Sequence, residues 1–383
     1  MPDTMLEDLP EWLVVDEILV RLPPKDVLRC RAVRKSWRAA TSTDSFILDN
    51  HRRQPSLPII EQHDEGIFCL AAAGDQKILR PVLRYTPDPV SSIAFCDGLL
   101  ILSHQSSFYI CNPATRKCAP LPRPPLRPGC WPPNVVALYR HDASPREYRV
   151  LWVFAAEMAR RTTFEPPAYF VLPVGSDQPR CIQWPTVLQS YPASCDLPPV
   201  HHRGALHWEL SLGITVLDTV TETFRHMSYP AQLHGGVFSL FDLGGDLALR
   251  HTSGDCLTQD ICVLQDYEAQ TWAFRYRIDL RAMEASPPLN LTVTYFPPMM
   301  AVINGRELLI QHGGDRLFHC DIEGVFLGYV ESQDHESSLK NQFAKRLTLT
   351  RHRLQESMIS LPLFETRQED AVHEKKPPFT ILL

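Results

Sequence analysis

Paired prolines divide this chain into short segments. The sequence contains 34 prolines, and seven pairs of them are Pro23-Pro24, Pro124-Pro125, Pro132-Pro133, Pro166-Pro167, Pro198-Pro199, Pro287-Pro288 and Pro297-Pro298. Proline has no amide hydrogen to donate within a helix or a central strand, so each pair interrupts regular structure. Long helices are therefore excluded from most of the middle of the chain, and helical patterns are expected near its two ends.

Charge and cysteine content argue against several classes of protein. The formal net charge is -6, whereas nucleic-acid-binding domains are usually basic, so we expect no nucleic-acid partner. No run of 18 or more apolar residues is present, and Asp3, Glu7 and Asp8 are unlike the start of a secretory signal. The 11 cysteines have no repeated close spacing, which indicates reduced thiols. We therefore expect no membrane association and a location in the cytoplasm, the nucleus or both.

Residues 8–50 carry a helical pattern. Asp8 can cap a first helix, which has apolar residues at spacings of three and four. These residues are Val14, Ile18, Leu19 and Leu22. Pro23-Pro24 ends that helix, and two more short helices follow, the last of which carries Trp37. Three short helices bury little apolar surface by themselves, so we expect a partner to cover part of this module.

From about residue 58 onward, the apolar residues follow the pattern of short strands. A turn, an apolar run, a gap and a second apolar run recur in loosely similar copies at 98–112, 204–218, 245–266 and 304–321. A further strand pair is expected at 148–154 and 169–172. Repeated hairpins at about 40–50 residues per unit predict a β-propeller of about six or seven blades, with a pair of β-sandwiches as the alternative.

The sequence also predicts a helix before the C-terminus. Its apolar positions recur at helical spacing and are Leu339, Phe343, Leu347, Thr350, Leu354 and Met358. The predicted domains are 1–50 for the helical module, 58–362 for the β domain and 363–383 for a mobile tail. The predicted fold class is α+β multidomain: a small three-helix module, then a mainly β, propeller-like domain with a C-terminal helix.

No arrangement typical of an enzyme is found in the sequence. The chain lacks a Gly-x-Ser-x-Gly elbow, a phosphate-binding loop, a zinc-protease motif and a dinucleotide-binding glycine pattern. His201, His202 and His207 could bind a metal, but adjacent strand residues point to opposite faces, so structural roles are favoured. Cys256 and Cys262 lack a second pair and are interpreted as buried thiols. We expect no catalytic residue, no cofactor and no metal site.

The helical segment resembles an F-box. The matching stretches are Leu9-Pro10-Glu11, Glu17-Ile18-Leu19, residues 21–28 and residues 33–38, in the order and spacing of that family. The resemblance implies a three-helix module that binds the Skp adaptor of a cullin–RING ubiquitin ligase. The residues that it implies for the adaptor contact and the core of the module are Leu9, Pro10, Ile18, Leu22, Pro23, Val27, Leu28, Val33 and Trp37. The alternative is a helical bundle that merely caps the larger domain.

Cys30 and Arg34 depart from the F-box pattern without removing the apolar face of the segment. Cys30 stands where a larger aliphatic residue is common, and Arg34 stands where a cysteine is common. We therefore expect these departures to affect the affinity for the adaptor more than the identity of the module.

The β region resembles the F-box-associated domain of plant F-box proteins. The resemblance rests on residues 95–100, 112–116 and 121–122, and on Gly204–Trp208 with Asp218-Thr219. It implies a propeller-like domain that recruits target proteins, which differ among members of the family. The target of this chain does not follow from the resemblance.

Two functional hypotheses remain from the sequence. In the first, the chain is a non-catalytic substrate-recognition subunit of an SCF-type ubiquitin ligase, with separately folding parts for the adaptor and for a target protein. In the second, it is a propeller-like enzyme or small-molecule sensor with a central pocket. A cluster of titratable residues at the mouth of the propeller would favour the second hypothesis.

Overall fold

The fold is taken from a computed structural model of the chain. The residues described are 9–62, 65–73, 76–86, 90–105, 107–126, 129–141, 147–154, 167–185, 198–210, 212–233, 235–285, 299–304, 306–312, 316–330, 347–365 and 377–383. Within these residues, an N-terminal helical region is followed by six β-sheets.

Four α-helices form the helical region between residues 9 and 54. They are α1 (Glu11–Leu13), which continues into a π-helical turn (Val14–Ile18) and a 3-10 turn (Leu19–Arg21), α2 (Pro24–Cys30), α3 (Lys35–Thr41) and α4 (Asp44–Arg53). The prediction of three helices ending at residue 50 is therefore wrong in number and in boundary. The additional helix α4 is capped by the Thr43 hydroxyl, which accepts a hydrogen bond from the amide of Phe46 at 3.3 Å. Gln54, which precedes a proline, ends it in an extended conformation.

The strands form six antiparallel sheets, which we number as blades. Blade 1 contains β1 (Ser56–Gln62), β2 (Gly66–Ala73), β3 (Gln76–Tyr85), β24 (Leu347–Gln355) and β25 (Phe379–Ile381). Blade 2 contains β4 (Ser91–Cys96), β5 (Leu99–His104), β6 (Ser107–Asn112) and β7 (Lys117–Pro120). Blade 3 contains β8 (Asn134–Arg140), β9 (Tyr148–Phe154), β10 (Ala168–Pro173) and β11 (Arg180–Ile182).

Blades 4 to 6 follow the same four-strand plan. Blade 4 contains β12 (Val200–His202), β13 (Ala205–Leu210), β14 (Gly213–Asp218) and β15 (Phe224–Met227). Blade 5 contains β16 (Val237–Leu243), β17 (Asp246–Thr252), β18 (Thr258–Asp266) and β19 (Thr271–Asp279). Blade 6 contains β20 (Met299–Val302), β21 (Glu307–His312), β22 (Arg316–Asp321) and β23 (Phe326–Val330).

Blade 1 closes the ring with strands from both ends of the propeller. β24 pairs antiparallel with β1, so that Ser56 lies opposite Gln355. β24 also contacts β20 of blade 6 and β4 of blade 2, which makes it the innermost strand of blade 1. The first and last parts of the propeller are thereby joined through backbone hydrogen bonds. The sequence predicted a propeller of six or seven blades, and the structure confirms six.

An apolar cluster lies at each junction between neighbouring blades. Leu100 and Leu102 of β5 pack toward blade 1, whereas Leu99 and Ile101 of the same strand pack toward blade 3. Successive side chains of a strand point to opposite faces, so a strand buried on both faces needs an unbroken apolar run. This geometry explains the apolar runs of the sequence. The structure also confirms all the strands predicted from these runs. The predicted ranges 98–112, 148–154, 169–172, 204–218, 245–266 and 304–321 correspond to β5–β6, β9, β10, β13–β14, β17–β18 and β21–β22.

The predicted C-terminal helix is wrong where the structure describes it, because residues 347–355 form β24. Pro58 of β1 pairs with Arg353, but Ile60 pairs with Leu349, so β24 carries extra residues at this point. Leu349, His352 and Leu354 are the buried residues of this bulged strand, and of these only Leu354 belongs to the predicted stripe. The other predicted positions in β24, Leu347 and Thr350, are half-buried. The first two positions of the predicted stripe, Leu339 and Phe343, lie outside the described residues.

The expected mobile tail at 363–383 also differs from the structure. Residues Pro362–Phe364 form a 3-10 turn, and β25 adds an outer strand to blade 1. Phe379 pairs with Tyr85 of β3 and packs in the cluster between blades 1 and 2. Its buried aromatic side chain gives a reason for this part of the tail to be held on the propeller.

Candidate functional site

The helical region divides the nine residues implied by the F-box resemblance into buried and exposed groups. Val27 and Trp37 are buried in its core, and Leu9, Leu22 and Leu28 pack against that core. The exposed members are Pro10, Ile18, Pro23 and Val33. Of these, Ile18 is 39% exposed and Val33 is 72% exposed. The sequence argument missed Trp12, which is 61% exposed and is the only tryptophan in the first helical stretch.

Two amide side chains of α4 fix the end of the first helical stretch. The Asn50 amide donates to the carbonyl oxygens of Val20 and Leu22, both at 2.9 Å. The Gln54 amide donates to the same Leu22 carbonyl at 3.1 Å. Carbonyl groups at a helix end lack partners within the helix, so these bonds satisfy groups that would otherwise be buried without one. They set the direction in which the chain leaves Leu22 toward Pro23.

Helix α4 is joined to the propeller next to the central axis. The Gln355 amide at the end of β24 donates to the carbonyl oxygens of His51 at 2.9 Å and Gln54 at 3.0 Å. His51 Nδ1 lies 3.1 Å from the carbonyl oxygen of Glu356. Met358, which follows β24, is buried in the core of the helical region. The helical region and the propeller therefore share both a hydrogen-bond network and an apolar core.

Asp97, in the turn between β4 and β5, accepts polar contacts from three other elements. His51 Nε2 lies 3.3 Å from Oδ1, Tyr148 donates to Oδ2 at 2.9 Å, and Arg140 Nη1 lies 3.5 Å from Oδ2. Burial alone would raise the pKa of this carboxyl, but the His51 hydrogen bond, the charges of Arg140 and His51, and the Tyr148 hydrogen bond lower it to about 2. Asp97 is therefore ionised at neutral pH and links α4 to blades 2 and 3.

The 112–116 segment, used above for the second resemblance, has a structural role. The Asn112 amide donates to the carbonyl oxygens of Ser357 at 3.1 Å and Ile359 at 2.9 Å. Arg116 Nε donates to the carbonyl oxygen of Leu383 at 2.8 Å. The turn between β6 and β7 thus holds two distant pieces of the C-terminal part of the chain against the same edge of the propeller.

A cavity of about 230 Å³ lies at the centre of the ring. It is bounded by the innermost strands β4, β12, β16, β20 and β24 and by Arg250 of β17. Its apolar wall includes Phe95, Phe241 and Met300, and its charged lining includes Asp97, Asp242, Arg250, Arg351 and Arg353.

One ion pair crosses the ring next to this cavity. Arg351 of blade 1 binds the carboxylate of Glu209, which belongs to the opposite blade 4. Arg250 of blade 5 is almost fully buried, and its pKa is lowered to about 9 by burial and by the charge of Arg351, against the opposing effect of Glu209. The Glu209 carboxylate thus pairs with the half-buried Arg351 and also offsets part of the charge of the buried Arg250.

The three histidines considered as metal ligands are separated as expected for adjacent strand positions. His201 lines the central cavity, whereas His202 and His207 pack around Tyr267. His207 Nε2 lies 3.0 Å from the Tyr267 hydroxyl and Nδ1 lies 3.2 Å from the Val200 carbonyl oxygen, so its role is structural.

The described part of the chain shows neither a cluster typical of a metal site nor a membrane-spanning helix. Among these residues, no group of three or more His, Cys, Asp or Glu side chains is arranged to hold a metal ion. None of the helices found there is long and apolar enough to cross a membrane. Cys256 and Cys262 are both buried free thiols, as the sequence indicated.

Comparison with known proteins gives the family of the chain. Residues 60–294 match the F-box associated β-propeller domain family. An F-box protein of Arabidopsis thaliana is 25% identical over 72% of this chain and 80% of its own length. A second Arabidopsis F-box protein is 23% identical over 67% of each chain. A β-propeller domain from Myceliophteria thermophila aligns at 10% identity and a TM-score of 0.36 over 73% of this chain and 87% of its own, which is too distant to support an argument. The chain belongs to the F-box associated β-propeller family of plant F-box proteins.

Proposed function

We propose that the chain is the substrate-recognition subunit of an SCF-type, cullin–RING ubiquitin ligase. In this proposal the helical region binds the Skp adaptor and the propeller binds a target protein. The observation that carries the proposal is the exposure of Trp12, Ile18 and Val33 on a helical region that already has its own buried core. Large apolar side chains left in water on a small module are typical of a protein interface. Family membership supports the same assignment.

We further propose that this subunit contributes proximity and no catalytic group. Burial raises the pKa of the thiols of Cys69, Cys96 and Cys111, and that of Cys320 to about 12. These thiols are protonated at neutral pH and are therefore poor nucleophiles. The target's lysines would be modified because they are held near the charged conjugating enzyme. A reductant-sensitive ubiquitin adduct on this chain, formed without cullin and RING subunits, would contradict the proposal.

Reduced thiols fit the proposed location in the cytoplasm, the nucleus or both. Fluorescence microscopy of the tagged full-length chain tests this location, and accumulation in a secretory compartment would count against it.

The adaptor contact is tested with the double variant Ile18→Asp/Val33→Asp. Both side chains are exposed, so the substitutions should leave the fold intact while placing charges in the proposed interface. Burying one aliphatic side chain is worth about 1.5–3 kcal/mol, so adaptor affinity should fall by on the order of tenfold or more. The measurement is a titration of the purified full-length chain with the Skp adaptor.

A matched control is Val220→Asp. Val220 is 51% exposed and lies in the turn between β14 and β15, within blade 4 and far along the chain from the helices. This variant should bind the adaptor like the unaltered protein. If Ile18→Asp/Val33→Asp also retained full affinity, with an unchanged circular dichroism spectrum, the adaptor would not bind at this surface.

A further inference from the structure

The central cavity is large enough for a small organic molecule. On the measure that gives about 230 Å³ here, one water molecule needs only about 10–15 Å³. The wall combines aromatic and thioether side chains with charged groups, which is the composition expected of a site that binds one ligand in a fixed orientation.

The charges around the cavity are not balanced. Asp97 is already engaged by Arg140, His51 and Tyr148, so it does not neutralise the other cations. Arg250, Arg351 and Arg353 remain, and the nearby carboxylates that offset them are Glu209 and Asp242. Within the described part of the chain, three guanidinium groups therefore lie near two carboxylates that offset their charge.

The other titratable groups around the cavity do not remove this excess. Burial lowers the pKa of His352 to about 3, so its ring is neutral at pH 7, and partial desolvation keeps the pKa of the exposed His201 below its ordinary value. Burial raises the pKa of the Cys96 thiol, which is also neutral. The arginines are consequently the cations that a ligand in the cavity would meet.

Arg351 and Arg353 are held in place by partners from other strands. Arg353 donates to the Ser56 hydroxyl at 2.9 Å and to the carbonyl oxygens of Ser56 and Val302, both at 2.5 Å. Those oxygens are uncharged, so they orient the guanidinium without cancelling its charge. Arg351 is positioned by Glu209 across the ring. Such fixed cations need little reorganisation to bind an anion, which makes binding more favourable.

We propose that the central cavity binds one small organic anion, a carboxylate with an apolar body. The carboxylate would be held by Arg250 together with its neighbours Arg351 and Arg353, and the apolar body would pack against Phe95, Phe241 and Met300. Bidentate pairing with guanidinium groups favours a planar carboxylate, and the aromatic wall favours a ring or branched hydrocarbon. The site is independent of the adaptor surface, so it goes beyond the role proposed above.

The test compares three probes on the unaltered full-length chain by isothermal titration calorimetry. Benzoate carries both features of the proposed ligand, benzamide keeps its shape without the charge, and inorganic phosphate keeps a charge without the apolar body. Benzoate should bind with one-to-one stoichiometry, and each of the other two should bind roughly tenfold more weakly or worse. Absence of benzoate binding at millimolar concentration, or equal affinity for benzoate and benzamide, would overturn the proposal.

A variant locates the binding site. Arg250→Met removes the buried charge at similar length and should weaken benzoate binding roughly tenfold or more. The control Arg275→Met changes an exposed arginine on the outer strand of the same blade and should bind benzoate normally. Unchanged benzoate affinity in a folded Arg250→Met protein would place the ligand elsewhere. The three-probe comparison is made on the unaltered protein, so it decides the proposal even if Arg250→Met fails to fold.

Discussion

The carboxylate of Asp97 connects residues that are far apart in the sequence. It contacts His51 from α4, Arg140 from β8 and Tyr148 from β9. The backbone carbonyl oxygen of Asp97 also accepts a hydrogen bond from the Ser357 hydroxyl at 2.6 Å. A buried carboxylate is unfavourable unless such partners surround it. Their presence turns Asp97 into a stabilising group whose contribution depends on pH.

We expect Asp97→Asn to lower the free energy of unfolding by about 2 kcal/mol at pH 7, because the folded pKa of about 2 lies below the ordinary value of 3.8. A depressed carboxyl pKa stabilises the fold above the unfolded pKa. The stabilisation is lost as pH falls from about 4 toward about 2. The difference between the two proteins should therefore shrink to about half at pH 3, as measured by urea unfolding.

The control for this prediction is Asp49→Asn. Asp49 forms an exposed pair with Arg52 at 3.2 Å, and such pairs contribute little to stability. Its effect at pH 7 should be much smaller than that of Asp97→Asn. A loss of stability in Asp97→Asn that did not change between pH 7 and pH 3 would show that the ionised carboxylate is not the source.

For individual residues, the sequence pointed to the segments that hold important side chains but not to the partners of those side chains. Asp97, Asn112 and Arg116 all fall in segments that carry the second resemblance. Their partners Ser357, Ile359 and Leu383 lie more than 240 residues later, beyond the reach of any local pattern. The arginines of the cavity had no local signature either, since Glu209 and Arg351 meet only because the ring closes.

At the scale of elements, the hairpin of β4 and β5 is pressed against the segment that follows β24. A Cβ atom added to Gly98 would lie 2.7 Å from the Gln355 carbonyl oxygen and 2.7 Å from the Ser357 hydroxyl oxygen. Gly98 also has φ of +79°, which side chains rarely adopt. Glycine is therefore required at position 98 for two reasons: the turn needs a positive φ, and a side chain would collide with Gln355 and Ser357.

Gly98→Ala should destabilise the protein by about 2–4 kcal/mol, because backbone strain of about 1 kcal/mol is combined with crowding of about 1–3 kcal/mol. The matched control is Gly175→Ala. Gly175 has φ of +92°, but nothing lies within 4 Å of an added Cβ, so only the backbone strain should remain. Urea unfolding of the two variants measures the difference in their free energies of unfolding. Equal losses for both variants would mean that Ser357 and Gln355 move aside at little cost and that crowding does not contribute.

Strand β5, which packs on both faces, was predicted from the sequence, whereas β24, which lines the cavity and carries a bulge, was predicted as a helix. The apolar run of β5 has few alternatives once long helices are excluded, because both of its faces are buried. β24 instead has Arg351 and Arg353 facing the cavity and a bulge opposite Ile59, so its buried residues lose the strict alternation. An inner strand that lines a polar cavity is for this reason harder to recognise than one in an apolar core.

At the scale of the whole molecule, the helical region and the propeller, which were predicted to fold separately, pack against each other through shared apolar clusters. Met358 belongs to the core of the helical region, and Ile47 of α4 contacts both that core and the cluster between blades 2 and 3. The proposed adaptor surface is thus held at a fixed position relative to the propeller. The sequence could not indicate this, because its pattern predicts a helix through Met358, whereas the described residues 347–355 form β24.

The closure of blade 1 also affects how the protein is made. Of the propeller strands, β1, β2 and β3 leave the ribosome first, but the innermost strand of their blade is β24, near the other end of the propeller. Synthesis of the stretch between Gln62 and Leu347 takes on the order of tens of seconds at about 5–20 residues per second. Throughout that time, β1 presents an unpaired edge that can recruit chaperones or aggregate. A nascent chain interrupted before Leu347 never completes this ring, so every copy that can hold its helical region in place on the propeller has been translated through β24.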